Sequence, residues 1–162
     1  MPMVKRPLMQ SVLDAAQERI VWTLNTFSRV CVSFSGGKDS TVMLHLTAQA
    51  ARAIGKKISI LFIDWEAQFS YTISHCEKLR EQYQDVIDCF YWVALPLTTQ
   101  NSLTQFTPEW QCWEPGIKWV RQPPQDAITD PAFFSFYETG MTFERFVQKF
   151  AEWFSRPRPA AV

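Results

Sequence analysis

Val30-Cys31-Val32-Ser33-Phe34-Ser35-Gly36-Gly37-Lys38-Asp39-Ser40 is the stretch on which the fold turns. Its first five residues are apolar at nearly every position, with β-branched and aromatic side chains, which is how a strand covered on both faces reads. The next six run straight into a segment with Val42, Met43, Leu46, Ala50 and Ala53 near helical spacing. Gly55 follows as the residue that ends that helix. Ile58-Ser59-Ile60-Leu61-Phe62-Ile63 repeats the buried-strand pattern and stops at Asp64. A helix over residues 69–83 and a strand over 90–95 come next. Strand, helix, strand, helix, strand with short connections predicts an α/β fold: a parallel, twisted sheet with helices on both faces. The crossovers should be right-handed.

Outward from this core the signals weaken. Upstream, Ser11 precedes Val12, Ala16, Ile20, Leu24 and Phe27, an apolar stripe near helical period, with Asp14 placed to complete a cap. Residues 1–10, with Pro2 and Pro7, read as an irregular arm. Downstream, residues 98–140 carry Pro108, Pro115, Pro123, Pro124 and Pro131 among Trp110, Trp113 and Trp119. That is an ordered but irregular excursion, with a short strand near Trp110–Trp113. Phe143, Phe146, Val147, Phe150 and Phe154 mark a last amphipathic helix. The expected organisation is one domain over 11–155, followed by a frayed tail over 156–162.

Composition narrows the function classes. The chain has 162 residues and 47% hydrophobic content, enough for one domain with a core of its own. Lys and Arg number 16, as do Asp and Glu, so no global charge draws it to nucleic acid or an anionic membrane. No run approaches the ~18 apolar residues of a membrane span. The start lacks the apolar stretch of a signal peptide. Cys31, Cys76, Cys89 and Cys112 are scattered without a C-x-x-C pair. Neither zinc nor an iron–sulfur cluster is expected, and the thiols suit a reducing cytoplasm.

The loop carries the chemistry. Placed between a strand and a helix, Ser35 to Ser40 presents backbone N–H groups and a helix N-terminus at the carboxyl end of a parallel sheet. Those are the parts of an anion cradle. Gly36 and Gly37 permit close approach, Ser35 and Ser40 add hydroxyls, and Lys38 adds a point charge. Asp39 would repel a phosphate unless a divalent cation lies near both, so the reading is phosphate with Mg²⁺. A Walker A loop is excluded, since Val32 stands where its first glycine belongs and Asp39 where its Ser or Thr belongs. The dinucleotide fingerprint is absent too.

Ser35 to Ser40 resembles the PP-loop, SGGxDS, of the adenine-nucleotide α-hydrolase-like superfamily, whose fold is a Rossmann-like three-layer sandwich. The form with lysine resembles the branch of phosphoadenosine phosphosulfate (PAPS) reductases and ATP sulfurylase small subunits. FIDWEAQFSYTI after the second strand, then PEWQCWEP and KWVRQPP, look like a narrower group of PAPS-reductase-family proteins, the immunoglobulin-binding regulators found beside a ParB-like partner. The resemblance implies that Ser35, Gly36, Gly37, Lys38 and Ser40 hold the phosphates of ATP or PAPS, and that Asp39 supports Mg²⁺. It implies that Ile63 and Asp64 lie beside the adenine or ribose, with Asp64 a second candidate for the metal. The family's usual chemistry attacks ATP at the α-phosphorus and releases pyrophosphate, which would make Lys38 and Asp39 the catalytic pair. A non-catalytic regulatory module working with a ParB-like protein is the competing class. Reductase chemistry is the third reading. This chain has no Glu-Cys-Gly-[Leu/Ile]-His segment, so its nucleophile would have to be Cys112.

Other candidates are weaker. Asp64 and Glu66 flank Trp65 where open α/β sheets place ligands. Lys118 and Arg121, three apart, are candidate contacts for a phosphate or sulfate. Trp92, Trp110, Trp113 and Trp119 lack a basic stripe and read as core and interface rather than base-stacking platforms. His45 and His75 fall on helices and read as structural. A homodimer is compatible with the composition.

Overall fold

The computed structural model describes residues 9–100 and 105–156. Most of the expected N-terminal arm and C-terminal tail lies outside them. The order of elements is α1 (Val12–Thr26), β1 (Cys31–Phe34), α2 (Lys38–Ala53), β2 (Ile58–Ile63), α3 (Ser70–Gln82), β3 (Ile87–Val93), β4 (Thr98–Gln100), β5 (Glu109–Gln111), a 3-10 turn (Pro131–Phe133) and α4 (Phe143–Ser155). The three long strands form a parallel sheet in the order β1-β2-β3. Thr98–Gln100 and Glu109–Gln111 make a separate antiparallel pair, so the Trp-rich excursion has more regular structure than its prolines suggest.

Strand periodicity decides what each face of the sheet meets. Along β2 every residue is buried, and the two alternating sets go opposite ways. Ile60 and Phe62 join Val32, Phe34 and Trp92 against Ile20 and Leu24 of α1, Leu44, Ala48 and Ala51 of α2, and Cys76 and Leu79 of α3. Leu61 and Ile63 join Tyr91 and Val93 against Phe146, Phe150 and Phe154 of α4. Both crossover helices therefore lie on one face and α4 covers the other. The sheet advances in one direction from β1 to β3, and successive crossovers of one hand then put their helices on the same side.

Local chemistry starts the helices where the sequence marks them. Ser11 Oγ accepts from the Asp14 N–H at 3.1 Å, and Thr142 Oγ1 accepts from the Arg145 N–H at 3.4 Å. On α4 the Phe146, Phe150 and Phe154 rings stack successively at 6.3 and 5.8 Å. Tyr91 meets Phe150 edge-on at 5.3 Å. Beyond β3, Ile128 donates to Trp92 O at 2.7 Å and accepts from the Ala94 N–H at 3.0 Å, which covers that side of the sheet. Three cations at and just beyond the end of α2 find partners within the chain: Arg52 grips Asp85 through two bonds of 2.7 Å, and Lys56 and Lys57 donate to Leu24 O and Asp85 O.

The far-face core rests on a few rings, so Phe146→Ala should cost about 3–5 kcal/mol of stability, read as a lower urea midpoint with an unchanged slope.

Candidate functional site

At the carboxyl end of β1 the chain turns through Gly36 at φ +76°, a left-handed conformation that favours glycine. A Cβ there would stand 2.7 Å from Thr72 Cγ2 and 3.1 Å from Cys76 Sγ, so α3 seats directly against the loop. The two serines lock the turn from inside. Ser35 and Ser40 hydroxyls are 3.0 Å apart, Ser40 Oγ donates to Gly37 O at 2.9 Å, and the Gly37 N–H donates to Ser35 Oγ at 3.3 Å. Gly37 is the N-cap of α2 and has no side chain to cap it. The Thr41 N–H, bonded to Gly37 O at 2.9 Å, is the first α2 amide with a backbone partner. Those of Lys38, Asp39 and Ser40 precede it and belong to the unsatisfied first turn, where the helix dipole favours an anion. Lys38 and Asp39 pair at 2.8 Å, and both side chains are 89% exposed. An exposed pair of this kind is held by little and is free to re-aim.

The sequence-predicted residues divide from here. The loop from Ser35 to Ser40 joins the carboxyl end of β1 to the start of α2, with Ser35, Gly37, Lys38 and Asp39 exposed. Asp64 is fully buried behind it, and its carboxylate is spoken for: Oδ2 accepts from Trp92 Nε1 at 2.8 Å, while Oδ1 accepts from the Glu66 N–H at 3.0 Å and from Arg121. A metal would have to displace those donors, so Asp64 acts here as a structural acceptor rather than a cation ligand. Ile63 sends its side chain into the α4-side core. Lys118 and Arg121 do not work as a pair: Lys118 is exposed, whereas Arg121 folds onto Asp64 with its guanidinium 5.2 Å from the Trp113 ring. Cys112 is buried, with its thiol 3.4 and 3.5 Å from Leu95 O and Leu97 O. Burial pushes it from 9.0 up to about 12, the reverse of what a nucleophile needs. In this structure its thiol packs inside the fold.

Glu66 is the residue that sequence reasoning undervalued. It is buried at φ +59°, and its two carboxylate oxygens take the Trp113 N–H at 2.6 Å and the Val120 N–H at 2.8 Å. Trp113, itself at φ +53°, donates Nε1 to Asp64 O at 2.6 Å and meets Trp119 edge-on at 5.4 Å. Asp64-Trp65-Glu66 is thus a clamp that binds the Trp-rich segment to the sheet end beside the loop. The one available signal was two carboxylates at the end of a buried strand. His75 lies nearby, with Nε2 2.9 Å from Thr41 Oγ1, and His45 bonds the Tyr83 hydroxyl. Among the described residues no three His, Cys, Asp or Glu side chains converge into a cation site. None of the described helices is long and apolar enough to cross a membrane.

Residues 29–119, holding both the loop and the clamp, match the phosphoadenosine phosphosulfate reductase domain. The chain belongs to that family. Membership implies a nucleotide-related function. This family member is 71% identical over all 162 residues to the uncharacterized protein YbdN of Escherichia coli (strain K12), and it spans 40% of that protein's length. It is also 41% identical over 79 residues to the uncharacterized protein MJ0066 of Methanocaldococcus jannaschii, covering 46% of this chain and 16% of the other.

Two measurements check this geometry. Glu66→Gln replaces one carboxylate oxygen by a donor facing a backbone N–H, so it should cost about 1–3 kcal/mol in urea unfolding and shift Trp113 fluorescence to the red. Cys76 and Cys112, both raised from 9.0 to about 12 mainly by burial, ionise in the unfolded chain first. Their contribution is whole below pH 9 and is lost as the pH climbs towards 12, so the urea midpoint should fall over that window. The fall should be shallower in Cys112→Ala.

Proposed function

We propose that the loop from Ser35 to Ser40 binds the phosphates of an adenosine nucleotide, ATP or PAPS, in the cytoplasm. The observation that carries this is the open first turn of α2: the amides of Lys38, Asp39 and Ser40 follow a left-handed Gly36 and a serine-locked turn. Consecutive N–H groups with a mobile ammonium beside them fit a polyphosphate better than a single carboxylate. Mg²⁺ fits on one condition. Asp39 is exposed at the loop and supplies one carboxylate, and Mg²⁺ at a nucleotide takes its other ligands from phosphate and water. Bound there, it would neutralise phosphate charge; Lys38 would then leave Asp39 for the phosphates.

If the site turns over, an acceptor oxygen bonds to the α-phosphorus while the bond to pyrophosphate breaks. The amides and Lys38 would then hold the charge that gathers on the leaving group. A second reading, nucleotide sensing by a module of the immunoglobulin-binding-regulator type with a ParB-like protein partner, draws support from what surrounds the loop. Asp64 and Glu66 are engaged with donors, His75 with Thr41, and Cys112 is sealed. None of these stands ready as a base or nucleophile.

Calorimetric titration with ATP–Mg²⁺ should show micromolar binding that Lys38→Ala weakens by about 10–100-fold, the worth of a charge-assisted bond. PAPS run alongside separates the two nucleotides, and pyrophosphate release during the titration separates turnover from sensing. Absence of heat with either nucleotide would sink the proposal.

A further inference from the structure

Two donors meet at Gly37 O: the Thr41 N–H at 2.9 Å and the Ser40 hydroxyl at 2.9 Å. A backbone carbonyl has two lone pairs, so this acceptor is full. The Ser40 bond matters for the shape of the loop. Ser40 Oγ also meets Ser35 Oγ at 3.0 Å and takes the Ser35 N–H at 3.3 Å, so one hydroxyl ties both ends of the turn.

A competitor for that carbonyl sits one residue beyond Ser40. A helical threonine readily turns its hydroxyl back onto the carbonyl four residues earlier. Thr23 does so onto Arg19 O and Thr47 onto Met43 O, both at 2.8 Å. For Thr41 the carbonyl four residues back is Gly37 O. Thr41 instead places Oγ1 2.9 Å from His75 Nε2 on α3. Whichever atom carries the proton, this arrangement keeps the Thr41 hydroxyl off Gly37 O.

α3 is seated to hold His75 there. Thr72, His75 and Cys76 are spaced i, i+3 and i+4 and share one helix face. Thr72 and Cys76 pack where a Cβ on Gly36 would stand, and the His75 ring lies 6.4 Å from that of Phe34, the last residue of β1. One face of α3 thus meets the strand that enters the loop, the glycine that turns it and the helix that leaves it. His45 bonds the Tyr83 hydroxyl across the same two helices, one turn farther along α2.

We infer that His75 is a positioning residue for the phosphate loop: it draws the Thr41 hydroxyl away from Gly37 O, which leaves that acceptor to Ser40 and keeps the turn locked. This rests on the nucleotide reading of the loop. In this role His75 contacts no phosphate and moves no proton; it acts through Thr41.

The test is calorimetric titration with ATP–Mg²⁺ and with PAPS of the wild type, His75→Ala, His75→Ala combined with Thr41→Val, and His45→Ala. Without the imidazole, Thr41 turns onto Gly37 O and displaces Ser40. His75→Ala should therefore bind about 3–10-fold more weakly, the worth of one ordinary hydrogen bond in the lock. Thr41→Val removes the competing hydroxyl, so the double variant should return to wild-type affinity. A merely structural His75 gives the opposite, a double variant at least as weak as the single one. His45→Ala should bind as the wild type does. His75→Phe keeps a ring beside Phe34 and removes Nε2, so it replaces the alanine variant if urea unfolding shows that one to be unstable. A His75 variant that binds as tightly as the wild type, or a double variant that stays weak, overturns this inference and leaves the nucleotide reading standing. A wild type that gives heat with neither nucleotide overturns both.

Discussion

Two carboxylates removed from water hold the working end of this molecule together. Asp64 and Glu66 are 0% and 3% exposed, and a buried carboxylate is tolerable only when donors surround it. The donors come from across the fold: Trp92 from the neighbouring strand, Trp113 and Val120 from the excursion, and Arg121 beyond them. Through these bonds the end of the central strand ties down the proline-rich segment. Glu66 and Trp113, both held at positive φ, are the two ends of one clamp bond, so the strain sits where the bonding is densest.

The loop depends on that frame indirectly. Its own shape comes from Ser35, Ser40 and the Gly36 turn, all within six residues, but its position is set by α3 pressing Thr72 and Cys76 against Gly36. Cys76 belongs to the same core as Phe62 and Trp92, and Trp92 in turn bonds Asp64. Buried packing thus runs from the clamp to the back of the loop over residues 35–40. The parts of the cradle that would meet a ligand, Lys38 and Asp39, are its most exposed. A rigid back and a free front suit a site that binds a flexible, highly charged group.

What could be read from the sequence follows the range of the interactions. The parallel sheet, its helices and the loop are written in local periodicity and in a contiguous run of six residues, so they were legible. The strand limits moved only slightly, with β3 covering Ile87–Val93 where residues 90–95 were expected. The tasks of Asp64 and Glu66 were not legible, because Trp113, Val120 and Arg121 lie 47 to 57 residues away from the carboxylates they bond, in a segment whose path no periodicity reveals. Two acidic residues at a strand end look the same whether they await a metal or hold a loop. Cys112 was ambiguous for the same reason: it falls in a segment without periodicity, and the structure buries it beside the β4–β5 pair.

Amide chemical-shift mapping decides whether the first turn of α2 binds phosphate. With ATP–Mg²⁺ and then pyrophosphate–Mg²⁺ added to the labelled chain, saturable shifts should concentrate at Gly36, Gly37, Lys38, Asp39 and Ser40. Shifts that spare these amides and gather instead at Lys118 or elsewhere on the surface would contradict it.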